Sequence, residues 1–182
     1  EDEKSAVHYF VAFREHFGID ATSVRIAGSG GRTQPIQVVD KAIELKSKAE
    51  SANSGTEPFE EVWCVIDGDF GTKIINARSS AMANGVKLAV STKCFEYWIL
   101  LHFKESDTAT HNCDETIKLL EQGKHVTKYE KGKYDFKLVV PEAPVASLRA
   151  EKLRKPGIQR GDLPENQNLC SEVYFLVNAL LG

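Results

Sequence analysis

The chain has no apolar run approaching the ~20 residues that cross a bilayer. Its longest candidate, YWILLHF at 97–103, is too short. The opening EDEK has neither the basic nor the apolar stretch of a secretory signal, so a cytoplasmic protein without membrane contact is expected. The glycine-rich GSGGRTQP at 28–35 lacks the GK[ST] lysine and hydroxyl of a P-loop. Any ATP dependence must therefore come from a partner. Cys64, Cys94, Cys113 and Cys170 show no CxxC spacing, which argues against zinc and predicts four reduced thiols. There is no internal repeat and no low-complexity segment. What remains is 182 residues, 42% hydrophobic and 27% charged, the composition of an ordinary globular domain with room for an appendage.

The formal charge of −3 argues weakly against a polyanion binder, but its distribution does not. From Lys118 to Arg160 there are eleven Lys/Arg against five Asp/Glu, a local +6 that leaves −9 elsewhere. A basic segment beside an acidic remainder suits a protein that handles a polyanion at an acidic centre. A solvated helical face is the plainer alternative.

Hydrophobic spacing organises the rest. SAVHYFVAFREHFG (5–18) reads as a helix stopped by Gly18. TSVRIAG (22–28) reads as a short strand, and PIQVVDKAIELKSKAES (35–51) as a helix with Pro35 at its start. EVWCVID (61–67) is nearly continuously apolar, as in a parallel strand covered on both faces. TKIINARSSAMANG (72–85) is a helix closed by Asn84-Gly85, and VKLAVS (86–91) another strand. This alternation predicts an α/β fold with a parallel sheet between helices. Such a sheet ordinarily starts with a strand, so an apolar strand preceding Glu1 is expected, the alternative being a fold that starts with its first helix. Residues 1–92 form the predicted α/β core and 93–182 a helical, partly basic extension. In that extension STKCFEYWILLHF starts from Ser91 or Thr92 as N-cap, and Gly123 caps CDETIKLLEQG. KHVTKYEKGKYDF is irregular, APVASLRAEKLRK stops before Pro156, and SEVYFLVNALLG is a terminal helix.

The stretch VIDGDF ends a buried strand on two carboxylates. Residues i and i+2 of a strand point the same way, about 7 Å apart, so Asp67 and Asp69 can aim together at the C-terminal sheet edge, where open α/β sheets bind ligands. Gly68 permits a close backbone approach. Two hard carboxylates suit Mg2+ or Mn2+, which would also hold phosphate oxygens. The plain alternative is that Asp69 caps a helix and shapes a turn. Glu1 would join Asp67 and Asp69 if a strand preceded it; helix-dipole capping explains it otherwise. Glu96 is a candidate further ligand or orienting carboxylate. His102 reads as a core histidine rather than a ligand. Lys124, Lys128, Lys131 and Lys133 are candidate phosphate contacts.

Glutamate at a first strand end with DxD at a later one resembles the Toprim fold of topoisomerases, primases and OLD-type nucleases. More closely, the chain resembles the RloB-like family. That family's CEGxxTExxYF is similar to EDEKSAVHYF, its DxD region to VWCVIDGDF, and its SNPCFExWLLLHF block to STKCFEYWILLHF. Tyr129 and Lys131 match a later Y-x-K, and NLCSEVYFLV echoes NPSTxVxxLV. Asp2 stands for the usual glycine, Thr92-Lys93 for Asn-Pro, and Leu169 for proline. The resemblance implies a Toprim/Rossmann-like sheet and a Mg2+-dependent (or Mn2+-dependent) nuclease acting on DNA, RNA or tRNA in antiphage defence. Glu1, Asp67, Asp69 and Glu96 would be catalytic, with Glu1, Asp67 and Asp69 on the metal. It also implies an ABC- or AAA-type ATPase partner and is compatible with an oligomer. A non-catalytic subunit that binds nucleic acid or the ATPase is the alternative. A phosphotransfer receiver does not fit the CFExW block.

Overall fold

A computed structural model describes residues 3–51, 55, 57–123 and 126–182. The described elements run α1 (Glu3–His16), α2 (Pro35–Glu50), β1 (Trp63–Asp67), α3 (Lys73–Ala83), β2 (Lys87–Ser91), α4 (Phe95–Phe103), α5 (Cys113–Gln122), α6 (Ala143–Arg160) and α7 (Val173–Leu181). Short 3-10 turns lie at Phe136–Leu138, Val140–Glu142 and Pro164–Asn166. The fold is mixed α/β.

β1 and β2 pair in parallel, with Trp63 opposite Lys87 and Asp67 opposite Ser91. α3 makes the crossover that a parallel pair requires. Alternation divides β1 between two layers. Cys64 packs with Val39 and Ala42 of α2 and Ala77 and Ala81 of α3, while Ile66 packs with Ile74. Trp63 and Val65 turn the other way, onto the aromatic core of α1, α4 and α7. The near-continuous apolar run thus belongs to a strand covered on both faces, as its composition predicts.

The expected strand at 22–28 is not formed; residues 24–29 carry no regular structure. An isolated strand has no partner for its amides, and the described sheet is β1 and β2 alone. α6 also departs from expectation, running through Pro156 to Gly161, whose φ of 77° closes it. One proline removes a single helical hydrogen bond, and the buried ion pair from Arg154 to Glu172 anchors the turn beside it.

α4 is buried all round. Every residue from Phe95 to His102 is buried, the pattern of a helix enclosed on all sides. Tyr9 of α1 packs edge-on against its Phe95 and Trp98, Phe10 packs tilted against Phe95, and Phe13 belongs to the same cluster. His102 is a core histidine, 3% exposed. Its Nδ1 sits 3.0 Å from the Trp98 carbonyl and its Nε2 2.9 Å from the Tyr9 hydroxyl. A carbonyl only accepts, so Nδ1 donates and Nε2 accepts from Tyr9. Burial pushes the His102 pKa down to about 4.

Candidate functional site

β1 ends at Asp67 and β2 at Ser91, side by side, so the sheet's C-terminal edge is assembled from the Asp67–Thr72 turn and the Ser91–Cys94 connection. Gly68 locks them together. Its amide donates to the Ser91 carbonyl at 2.9 Å and the Lys93 carbonyl at 3.1 Å. A Cβ on Gly68 would stand 2.9 Å from the Thr92 Cα, so the two backbones meet where only glycine fits. The Thr92–Lys93 peptide is cis.

Asp67 is half-buried, and its Oδ1 accepts the Phe95 amide at 2.8 Å. The N-cap position of α4 is Cys94, which makes no side-chain cap of its own. The expected caps, Ser91 and Thr92, belong to the strand end and its connection. Asp67 therefore serves from β1 as the acceptor for an otherwise orphaned first-turn donor. Asp69 lies past the strand, in the turn, and is exposed. Strand geometry consequently aims Asp67 alone; Asp69 is carried by the turn. The N-cap of α3, Thr72, has no side-chain cap bond either. Carboxylate oxygens are the donors that Mg2+ or Mn2+ takes, and Asp67 and Asp69 each bring a carboxylate to this end of β1. Glu1 and Lys124 lie outside the described residues.

Glu96 is elsewhere. It is 0% exposed, and its carboxylate meets α1, α5 and the 126–135 segment. Its Oε1 accepts from Ser5 at 3.3 Å and from Tyr129 at 3.1 Å. Its Oε2 lies 3.5 Å from Lys131 Nζ. The Tyr129 and Lys131 pair singled out in the sequence thus converges on one buried carboxylate. The Tyr129 amide donates to Glu121 at 2.9 Å, tying this segment to α5.

Cys94 and Cys113 form a disulfide with Cα atoms 5.6 Å apart. This corrects the expectation of four thiols: the N-termini of α4 and α5 meet, a juxtaposition that a separation of 19 residues does not announce. Cys64 and Cys170 are buried.

The basic segment is partly neutralised from within. Glu130 pairs with Lys128 at 3.1 Å and with Lys133 at 2.6 Å. These lysines hold the Glu130 carboxyl below its usual range, and Glu130 raises Lys133 in return.

One polar cluster was not anticipated from the sequence. Buried Glu172 accepts from Arg78 at 3.0 Å, Arg154 at 3.4 Å and the Val90 amide at 3.2 Å. Its own amide donates to the Val90 carbonyl at 2.7 Å. It fastens the start of α7 beside β2. Desolvation raises its carboxyl pKa despite both arginines.

The motifs now have both a spatial setting and a family. The chain matches the sequence model of the RloB-like protein family over residues 1–180. It belongs to the RloB-like family. No curated protein and no solved structure matches it. In this RloB-like chain the CFExW block is the buried α4, whose first turn Asp67 caps. Among the described residues of the RloB-like chain, no helix is long and apolar enough to cross a membrane.

Proposed function

We propose that the chain is a Toprim-type, Mg2+- or Mn2+-dependent nuclease, the effector of an antiphage defence system under the control of an ABC- or AAA-type ATPase. The observation that carries this reading is the placement of Asp67 and Asp69 at the C-terminal edge of a parallel strand pair, in a chain of the RloB-like family. Asp67, Asp69 and Glu1 would hold the ion, which supplies charge stabilisation at a scissile phosphate. Asp67 comes oriented by the Phe95 amide. Glu96 acts as an orienting carboxylate that fixes α1 and the Tyr129–Lys131 segment around α4. Lys124, Lys128, Lys131 and Lys133 offer positive charge to the nucleic-acid backbone.

The finer fold reading is a Toprim-like sheet with further strands. Its support is a groove of about 1140 Å3 along the free edge of β1. Residues 62–67 line one wall consecutively and 21–29 the other. Consecutive lining marks an edge, since one strand face exposes only alternate residues. α1 and α2 contribute the floor and roof, so an apolar strand placed there would be covered on both faces and would give 22–28 the partner it lacks.

The burial of Glu96 favours a second reading. One of the four candidate acids is fully buried against Ser5, Tyr129 and Lys131, as a non-catalytic subunit that binds nucleic acid or an ATPase would tolerate. Incubation with tRNA, plasmid and phage DNA, in Mg2+, Mn2+ or EDTA and with or without the ATPase, separates the two. The nuclease reading expects metal-dependent cleavage that Asp67→Asn abolishes. Binding without cleavage under every condition would select the second.

A further inference from the structure

The two oxygens of Glu96 have different surroundings. Oε1 accepts from two hydroxyls, Ser5 and Tyr129. Oε2 faces Cys113 Sγ at 3.2 Å. A disulfide sulfur carries no proton, so this contact is no hydrogen bond while the pair is oxidised. Cys94, Glu96 and Cys113 each present one potential ligand atom, and these atoms lie within 4.8 Å of one another. Two soft sulfurs and a carboxylate gathered this closely make a donor set that the Asp67 edge does not share.

We propose that Cys94, Cys113 and Glu96 form a redox-gated site for a thiophilic divalent cation of the Zn2+ class, closed as the disulfide and open as the dithiol. A tetrahedral ion with sulfur ligands at about 2.3 Å places two sulfurs about 3.7 Å apart and a carboxylate oxygen about 3.5 Å from each. The Cα separation of 5.6 Å and the 3.2 Å approach of Cys113 to Glu96 already lie near that arrangement. Cys94 occupies the N-cap of α4 and Cys113 the first position of α5, where helix dipoles favour thiolates. Two thiolates and one carboxylate around a 2+ ion leave one negative charge, and Lys131 at 3.5 Å from Glu96 balances it. Mg2+ is excluded by the soft donors.

The chemistry balances with a dithiol reductant. It gives two electrons and two protons to the Cys94–Cys113 bond, yielding two thiols, and itself becomes a disulfide. The ion then displaces those two protons as it binds. The proposal does not rest on the nuclease reading.

The test uses the full chain, reduced with excess dithiol, freed of it under argon and titrated with Co2+ alone. The expected result is one thiolate-ligated Co2+ per chain, read from a thiolate-to-cobalt absorption in the near ultraviolet and tetrahedral d–d bands that Zn2+ displaces. Zn2+ should protect Cys94 and Cys113 from alkylation, mapped by peptide mass, and leave labelling of Cys64 and Cys170 unchanged. The oxidised chain should give no thiolate band. Glu96→Gln, checked for folding by circular dichroism, should weaken Co2+ at least tenfold. The proposal is overturned if the reduced, folded chain shows no thiolate band, if oxidation leaves binding unchanged, or if protection maps to Cys64 or Cys170. The alkylation map uses the unaltered chain, so no variant has to fold for the answer to be clear.

Discussion

The Asp67 carboxylate accepts the Phe95 amide at 2.8 Å, so the residue proposed to meet a cation also fixes the first turn of α4. The two roles separate by substitution. Asp67→Asn keeps an acceptor oxygen and should change stability by no more than about 1 kcal/mol, whereas Asp67→Ala should cost about 0.5–2 kcal/mol. Asp69→Asn, at an exposed turn position, should stay within about 0.5 kcal/mol of the unaltered chain. Both Asn variants should lose Mg2+-dependent thermal stabilisation and cleavage. Full metal-dependent cleavage by both would remove this site from the chemistry.

Gly68 predicts a steric effect. A methyl group there would meet the Thr92 backbone at 2.9 Å, and backbone does not swing aside as a side chain can. Gly68→Ala should destabilise by about 1–3 kcal/mol and weaken metal binding through displaced loops, with Asp67 and Asp69 both present. Urea denaturation and Mg2+ titration by calorimetry would show it; unchanged values for both would mean that the two loops are not locked together.

His102 makes stability fall with acid. Its folded pKa is about 4, against an ordinary 6.5. The unfolded state therefore binds the proton first as pH drops, and stability declines from about 6.5 down to about 4, where both states are protonated. The loss is on the order of 3 kcal/mol over that window. The folded chain's His102 NMR titration would check the cause. A midpoint near 6.5 with Tyr9 and Trp98 still packed would refute it.

Glu130 restrains the basic segment. If Lys128 and Lys133 meet nucleic acid, Glu130→Gln should free both, tighten binding and steepen its salt dependence, since each added phosphate contact contributes about 0.7–0.9 to the slope. Charge-neutral replacement of Lys124, Lys128, Lys131 and Lys133 should flatten it. An unchanged slope in both directions would assign the segment to a protein partner or to solvent.

Much of the fold was legible because local signals and global position agreed. Pro35 starts α2, Gly123 caps α5, and the apolar run at 63–67 is a strand covered on two faces. Legibility failed where partners are distant in sequence. TSVRIAG has strand composition, yet among the described residues no strand pairs with it. Pro156 carries a stop signal that the Arg154–Glu172 pair overrides. Cys94 and Cys113 gave no spacing cue because two helix starts, rather than a local motif, bring them together.

The sequence by itself determined the helix–strand alternation, the family motifs and the position of Asp67 at a buried strand end, because each is written in residues a few positions apart. Tertiary structure alone decided what the acids face. Asp67 reaches 28 residues along the chain to cap α4, and Glu96 turns inward to residues 91 and 33 positions away. A carboxylate's setting depends on which donors desolvation leaves within about 3 Å, and those donors come from elements whose meeting no local pattern encodes.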